Sequence, residues 1–509
     1  MMKGILVYNA TIVTMDEDYG VITGGYLLTD GPLIHDIGSG KPAWLDAENP
    51  EETLARRGLK GIDATGKIVF PGLVNTHCHT FQSLLKGLGA GLPLEEWWPV
   101  TIGPAASALK AADVRYAALA AGIEALRSGT TTILDFMYAH PSPRLSDEVI
   151  CALNEVGLRC VYARAFRDLG SDSKGHSFPS NLVEDVRDVL KDVSRLVRTF
   201  GSPSADGMIR IRLAPTAIWG VSTEALVAAR RFANENGLGL TMHLCETSLD
   251  DAIAMERSGM KAVEFLDNIG FLGSDMLAVH CVTLGEDDVD RMATTGTPVS
   301  HNAVSNLYLG SGVAPVPAMV SAGVTVSLGT DGAASNNCLD MLETVKFTAL
   351  LHNGQLKNRL GMTADKALYM ATIGGAKALG MEREIGSLSL GKSADFFIYN
   401  PLCAKSCPVH DPIASLVFSS GTENVETVVV NGRPVLEDGE VRSVCEREVL
   451  ETMADKAKAL VRRSCPEGYA KRRYLRQPFE VIRLCSGTAS NSETPSRRWR
   501  PISRIRSSS

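Results

Sequence analysis

Two histidines stand two residues apart at the end of the apolar segment Leu-Val-Asn-Thr-His-Cys-His, residues 73–79. Residues i and i+2 of a β-strand point to the same face, so His77 and His79 project together while Cys78 points away. Two imidazoles on one face make half of a metal site, although an H-x-H pair alone is a weak signal. The chemistry therefore depends on what other strand ends contribute.

Three more side chains of metal-binding type follow later apolar segments. His243 and His280 each close a short apolar run, and Asp331 comes directly after residues 324–330. Imidazole and carboxylate groups suit zinc or ferrous iron, and a catalytic site of this kind keeps one position for water. We expect a shared metal site if the fold brings these strand ends together.

The elements that must position these side chains alternate between short apolar strands and amphipathic helices. Helical spacing is clear in Ala105–Ser128, Ser222–Asn236 and Asp340–His352. Strand ends are predicted near His79, Asp135, Ala165, Thr216, His243, His280, His301 and Asp331. Eight strand–helix units over about 310 residues match a (β/α)8 barrel, although the alternation also permits an open doubly wound sheet. Only the closed barrel gathers the first and last strands at one rim, so the reactive side chains favour it.

Strand-like segments with Gly-rich turns also occur at both flanks of this alternating region. The sequence therefore predicts an α/β fold, a (β/α)8 TIM barrel with a small β-sandwich domain formed by the N- and C-terminal flanks. The predicted parts are the first half of the β-sandwich at 1–69, the barrel at 70–381, the second half of the β-sandwich at 382–445, a C-terminal helix at 446–476 and a basic, disordered tail at 477–509.

Composition excludes several classes of protein. Hydrophobic residues make up 45% and charged residues 21% of the 509-residue chain, which is ordinary globular usage. The net charge is −7, but the segment from Lys471 carries ten basic and two acidic residues, so residues 1–470 carry −15. We therefore expect no nucleic-acid partner. Eleven cysteines without a C-x-x-C pair indicate reduced thiols in the cytoplasm, and no apolar run of ~20 residues predicts a membrane span.

Four motifs together resemble the amidohydrolase superfamily. They are Pro-Gly-Leu-Val-Asn-Thr-His-Cys-His at 71–79, His-Leu-Cys-Glu-Thr at 243–247, Val-His-Cys at 279–281 and Gly-Thr-Asp-Gly at 329–332. The similarity extends over residues 1–445 and is greatest to the metal-dependent chlorohydrolase and nucleobase deaminase branch. That branch includes guanine, 8-oxoguanine, isocytosine and S-adenosylhomocysteine deaminases. None of the four motifs is specific to this superfamily by itself, but the four motifs together are.

The resemblance implies roles for individual residues. It implies one divalent metal ion per subunit, zinc in the first place and iron in the second, held by His77, His79, His243 and Asp331. Glu246 would shuttle a proton, and His280 would contact the metal-bound water, so Glu246, His280 and Asp331 are the predicted catalytic residues. A second metal is not expected, because the fourth strand, residues 209–216, has no Lys or Glu to bridge two ions.

These residues predict a hydrolytic deaminase that releases ammonia from an aminated N-heterocycle of purine, pyrimidine or triazine type. Metal-bound hydroxide would attack the ring carbon, and Glu246 would carry the proton to the leaving amine. One alternative is a hydrolase that displaces chloride or alkylamine, as triazine hydrolases do. Glu246 favours deamination, because an amine needs a proton to leave and chloride does not. A remote alternative is a non-catalytic barrel that acts as a binding subunit.

Four further residues are predicted to bind the substrate. Gln82 lies three residues after His79, Trp98 lies in a lid-like segment, His176 lies in a loop, and His301 ends the predicted seventh strand. The expected partner is a small N-heterocyclic molecule without phosphate, since the rim loops carry no Lys or Arg cluster. The resemblance also allows a homo-oligomer.

Overall fold

The computed structural model describes residues 4–16, 20–46, 48–171, 174, 177–201, 207–358 and 360–464. They belong to one compact unit, Met1–Cys465. The predicted tail 477–509 and the end of the predicted C-terminal helix lie outside the described residues, as does His176. Among the described residues, no helix has both the length and the apolar character needed to cross a membrane.

Strands and helices alternate through most of the described chain. The strands are β1 (Gly4–Val13), β2 (Val21–Asp30), β3 (Leu33–Ser39), β4 (Leu59–Asp63), β5 (Ile68–Pro71), β6 (Leu73–Cys78), β7 (Thr130–Met137), β8 (Arg159–Phe166), β9 (Ile209–Pro215), β10 (Leu240–Leu244), β11 (Met276–His280), β12 (Val299–His301), β13 (Val326–Leu328), β14 (Phe396–Tyr399), β15 (Val425–Val430), β16 (Arg433–Glu437) and β17 (Glu440–Val441).

The helices lie mainly after the strands of the central region. They are α1 (Pro50–Arg57), α2 (Leu94–Trp97), α3 (Gly103–Ser107), α4 (Ala111–Arg127), α5 (Leu145–Val156), α6 (Val186–Phe200), α7 (Thr223–Asn236), α8 (Leu249–Ser258), α9 (Ala262–Asn268), α10 (Glu286–Thr295), α11 (Ala303–Tyr308), α12 (Val316–Ser321), α13 (Met341–Leu356), α14 (Ala364–Ala371), α15 (Ile373–Ala378), α16 (Pro412–Ser419) and α17 (Glu446–Ser464). Short 3₁₀ or π turns occur at Thr80–Leu85, Trp98–Ile102, Ser180–Leu182, Ile218–Gly220 and Thr422–Asn424.

Strands β6 to β13 form the predicted barrel. Each pairs in parallel with the next strand along the chain, in the order β6 to β13. The first and last strands meet, because Thr76 donates its hydroxyl hydrogen to the Leu328 carbonyl (2.9 Å) and the Asp331 N–H donates to the His77 carbonyl (2.9 Å). The prediction of a (β/α)8 TIM barrel is therefore confirmed.

Strands from both ends of the chain form a second sheet of nine strands. Its order is β17-β16-β15-β14-β5-β1-β2-β3, with β4 paired to β1. The two flanks join where β5 pairs antiparallel with β14. One face carries a core that includes Ile5, Val7, Phe396 and Ile398. The predicted β domain built from both flanks is thus present.

A buried ion pair connects the barrel to this sheet. Arg159 at the start of β8 bonds through Nε to Oδ2 of Asp395 (2.9 Å) and through Nη1 to the Gly207 carbonyl (2.9 Å). Asp395 also accepts the N–H of Asn431 (2.7 Å). Both side chains of the pair are 1–2% exposed, so each charge depends on its partner for compensation.

Helix boundaries follow capping residues. The predicted helices Ser222–Asn236 and Asp340–His352 begin one residue later, because Ser222 and Asp340 are N-caps that accept backbone N–H groups through their side chains. The predicted helix Ala105–Ser128 is two helices, α3 and α4. The break between α3 and α4 has a local cause. Asp113 accepts the Lys110 N–H (2.9 Å), and this hydrogen bond caps the start of α4.

Candidate active site

Side chains from the first and last barrel strands meet at the C-terminal rim of the barrel. Asp331 Oδ1 lies 3.3 Å from Nε2 of His77 and 3.2 Å from Nε2 of His79. Both histidines and the aspartate are buried. Closure of the barrel therefore brings together residues that are some 250 positions apart in the chain, as parallel strands in a ring must do.

His243, at β10, completes the cluster. Its Nε2 atom lies 3.4 Å from Nε2 of His79, and its ring centre lies 5.0 Å from that of His77. His243 Nδ1 donates to the Thr216 carbonyl (2.8 Å), and His79 Nδ1 donates to the Phe136 carbonyl (2.6 Å). Because Nδ1 carries the hydrogen in both rings, both Nε2 lone pairs face the centre of the cluster, which is the usual arrangement of metal-ligating histidines.

The protonation states also fit a cation. Burial lowers the pKa of His77 to about 3, so this imidazole is neutral at pH 7. Its two ring nitrogens are buried and have no hydrogen bond of good geometry within the described residues. Burial raises the pKa of Asp331, but His77 and His79 outweigh this effect and hold it well below its usual range. Neutral imidazoles around one carboxylate are the donor set of a zinc or iron site.

Hydrogen bonds fix the orientation of Asp331. Ser305 and Ser335 donate hydroxyl hydrogens to Oδ2 at 2.5 and 3.0 Å, and the Gly332 N–H donates to Oδ1 at 2.8 Å. Asp331 itself has a φ of 60°, in the left-handed region. Such strain is found at functional sites, where the surroundings hold the residue in place.

Glu246 and His280 lie side by side next to the cluster. His280 ends β11 with a φ of 74°, and its Nε2 atom lies 3.6 Å from Oε2 of Glu246. Nδ1 of His280 lies 2.8 Å from Oδ1 of Asn306. Ser311 donates to Oε1 of Glu246 (3.2 Å), and burial raises the pKa of the Glu246 carboxyl. A carboxyl with a raised pKa is suited to taking up and returning a proton near neutral pH.

A cavity opens above these groups. Its floor includes His79, His243, Glu246, His280 and Asp331. Its walls are largely aromatic and are formed by Trp97, Trp98, Tyr138, Phe178 and Trp219. The aromatic walls fit a small planar ring system.

Two of the four residues predicted to bind substrate line this cavity. Gln82 donates through Nε2 to the Tyr138 hydroxyl (2.9 Å) and accepts the Ala334 N–H (3.3 Å). A Cβ atom at Gly332 would lie 1.9 Å from Oε1 of Gln82, so glycine is required for this close approach. Trp98 lies edge-on to Phe178, with ring centres 5.3 Å apart.

Of the other two predicted residues, His301 does not line the cavity, and His176 cannot be placed relative to it. His301 is fully buried, and its Nε2 atom lies 3.1 Å from Nε2 of His352 on α13. It is not among the residues that line the cavity. His176 lies outside the described residues. A role for either in substrate binding remains a prediction.

Arg167 lines the cavity and was not singled out from the sequence. It is 2% exposed, and its guanidinium carbon lies 4.7 Å from the Trp98 ring centre and 4.4 Å from that of Phe178. Nε and Nη1 have no hydrogen-bond partner within the described residues, and burial lowers the pKa of Arg167 to about 10. Its position directly after β8 is the signal that could have identified it, since residues at that rim form the active sites of barrels.

Comparisons with known sequences identify relatives of this chain. The sequence model of the amidohydrolase family matches residues 68–435. A 5'-deoxyadenosine deaminase of Methanosarcina barkeri is 37% identical over 462 residues, covering 91% of this chain and 99% of the relative. A 5-methylthioadenosine/S-adenosylhomocysteine deaminase of Syntrophomonas wolfei is 33% identical over 458 residues, covering 90% and 99%.

Solved structures show the same architecture. An atrazine chlorohydrolase of Arthrobacter aurescens in complex with zinc superposes with a TM-score of 0.79 at 26% identity, covering 89% of this chain and all of the other. An adenosine deaminase of Xanthomonas campestris with bound zinc has a TM-score of 0.80 at 24% identity, covering 90% and 98%. The second likeness supports the fold alone.

Proposed function

Because the chain belongs to the amidohydrolase family, we propose that it is a metal-dependent hydrolytic deaminase that releases ammonia from an aminopurine nucleoside. The observation that carries the proposal is the placement of Glu246 and His280 beside the cluster of three histidines and Asp331, at the floor of one aromatic cavity. The substrate class rests on the deaminases that are 33–37% identical to this chain over nine-tenths of its length.

The chain's own residues account for the binding of one divalent cation. His77, His79, His243 and Asp331 would hold it, and zinc is favoured because zinc is bound in the similar chlorohydrolase structure. When bound, the ion lowers the pKa of a coordinated water and so supplies the nucleophile at neutral pH. Thr216 and Phe136 fix the rings of His243 and His79 through their carbonyl groups before any ion binds.

Glu246 moves the proton. Its carboxylate accepts a proton from the attacking water and delivers it to the substrate, because an amine leaves a ring carbon only after protonation. The raised pKa of Glu246 makes the return of that proton easier. Ser311 holds Oε1, which leaves Oε2 on the side of His280. His280 can in turn hydrogen-bond the oxygen that develops negative charge as the ring is attacked.

The cavity walls bind and orient the ring. Stacking on Trp98, Phe178 or Trp219 buries its faces. Gln82 has one N–H and one carbonyl lone pair beyond its contacts with Tyr138 and Ala334, which allows it to pair with a donor–acceptor edge of the base. We propose these contacts as the source of selectivity for an aminated N-heterocycle.

Displacement of chloride or alkylamine is the second candidate, because a chlorohydrolase shares the fold at 26% identity. The two functions are separated by assaying the zinc-loaded protein for ammonia release from 5'-deoxyadenosine, 5'-methylthioadenosine, S-adenosylhomocysteine, adenosine, guanine and aminotriazines, and for chloride release from chlorotriazines. We expect ammonia from the adenosine derivatives and no chloride. Chloride release without ammonia would establish the second candidate, and neither product would contradict both.

A further inference from the structure

A second carboxyl group, that of Asp250, lines the cavity on the same side as Glu246. Asp250 is the second residue of α8 and stands four residues after Glu246. It is 3% exposed, and it borders the cavity together with Glu246, Thr247 and His280. The proton transfer described above uses Glu246 and leaves Asp250 without a role.

One of the two oxygens of the Asp250 carboxyl lacks a hydrogen-bond partner within the described residues, as does one oxygen of Asp135, which does not border the cavity. In Asp250 this atom is Oδ1, and it is buried. By contrast, Asp288 accepts the Gly285 N–H (2.9 Å) and caps α10, and Asp395 bonds to Arg159. Buried polar atoms are normally satisfied. An unsatisfied atom on a residue that borders a binding cavity therefore points to a partner supplied by a ligand.

The surroundings of Asp250 favour its neutral form. Burial raises the pKa of this carboxyl well above its usual range, and the nearby carboxylate of Glu246 raises it further. Backbone N–H groups of Glu246 and of Asp250 itself act in the opposite direction but more weakly. A neutral carboxylic acid presents one O–H donor and one carbonyl acceptor side by side. That pair complements the N–C=O or N=C–N–H edge of a heterocycle.

We propose that Asp250 contacts the substrate as a neutral acid and hydrogen-bonds the polar edge of the ring on the Glu246 side of the cavity. The inference rests on the proposed deaminase function and extends it by naming a residue that selects the substrate. Asp250 takes no part in the proton transfer. Its contact is made equally in the bound ground state and in the transition state, so its loss raises KM and leaves kcat nearly unchanged.

Two substitutions of Asp250 test whether its carboxyl acts on the substrate as a neutral acid or as an anion. Asp250→Asn keeps a donor and an acceptor, so its KM should stay within about threefold of the wild-type value. Asp250→Ala removes both groups, and its KM should rise about 10- to 100-fold, the scale of one buried hydrogen bond, at unchanged kcat and metal content. Asp288→Asn is the matched control, because this buried acid lies outside the cavity lining; its KM should not change.

The outcomes distinguish this proposal from the proposed function. A zinc-loaded wild-type protein that releases no ammonia contradicts the deaminase function itself. If the wild type is active and Asp250→Ala has a wild-type KM, Asp250 does not contact the substrate. If Asp250→Asn is as impaired as Asp250→Ala, the group acts as an anion and the proposal is wrong. Asp250→Ser should show the same rise in KM as alanine, and it replaces alanine if that variant fails to fold.

Discussion

The histidines of the cluster are oriented by backbone carbonyls at neighbouring strand ends. His79 is held by the carbonyl of Phe136 on β7, and His243 by that of Thr216 just after β9. A ring fixed in this way has one tautomer and one direction before it meets a metal ion. Affinity then depends on the number of correctly directed ligands, and the loss of any one of them has a large effect.

Replacement of His243 by Ala should abolish tight metal binding. The change removes one of the three imidazoles that the cluster contains. Zinc content per chain after dialysis, measured by elemental analysis, should fall from about one equivalent to near zero. His410→Ala is the matched control, because His410 is exposed and lies outside the barrel strands. Full zinc content in His243→Ala would contradict the ligand assignment.

Replacement of Glu246 by Gln should keep the metal and slow deamination. Glutamine has the same shape and can still contact Ser311 and His280, but it cannot carry a proton. Ammonia release by the zinc-loaded variant should fall about 10²- to 10⁴-fold. The loss should be much smaller with an analogue of the same nucleoside in which chlorine replaces the amino group, since chloride leaves without a proton. An ammonia rate near that of the wild type would remove Glu246 from the mechanism.

The ends of the barrel strands can be predicted from the sequence, because a short apolar run marks each buried strand. The metal-type residues His77, His79, His243 and Asp331 could be found because each follows an apolar run, and ring closure then brings them together. The helix break at Lys110 and the pairing of His301 with His352 could not be found in this way. Both depend on which side chains meet in space, and neither leaves a periodic pattern in the sequence.

The same limit explains why Arg167 and Asp250 were missed. A charged residue near the rim of the barrel has the same appearance in the sequence whether it is solvated or buried. Their importance lies in burial and in polar atoms without partners, both of which are properties of the folded chain. The ligand and proton-transfer roles that the resemblance implies stay predictions, although the structure does bring those residues together, whereas the cavity walls could be found only from the structure.

The ion pair between Arg159 and Asp395 allows a test of how strongly the connection between the barrel and the second sheet stabilises the fold. Arg159→Ala would leave the carboxylate of Asp395 buried without its cation, at a cost of about 3–5 kcal/mol in the free energy of unfolding. The midpoint of urea denaturation should therefore fall strongly. Arg447→Ala, which removes an exposed ion pair with Glu451, should change the free energy by less than about 1 kcal/mol. Equal stability of the two variants would contradict the structural role of Arg159.

At the scale of the whole molecule, the chain divides into a compact unit that ends at Cys465 and a basic segment beyond it. The residues of the cluster and of the cavity all lie within the first unit. We predict that a chain ending at Arg476 retains its zinc content and its rate of ammonia release within about twofold. The basic, Ser-rich composition of residues 477–509 is too poor in apolar side chains to be needed for the core. Loss of activity in a folded, shortened chain would contradict this prediction.

The pairing of β5 with β14 also affects how the protein is made. The ribosome completes β5 at Pro71 but supplies its partner only when residues 396–399 emerge. At ~5–20 residues per second, the first half of the sheet waits roughly 15–65 s with an open edge. During that interval the barrel can close, but Arg159 has no access to Asp395. The nascent chain therefore presents an unpaired strand edge for most of its synthesis, and such an edge is a template for pairing with another chain.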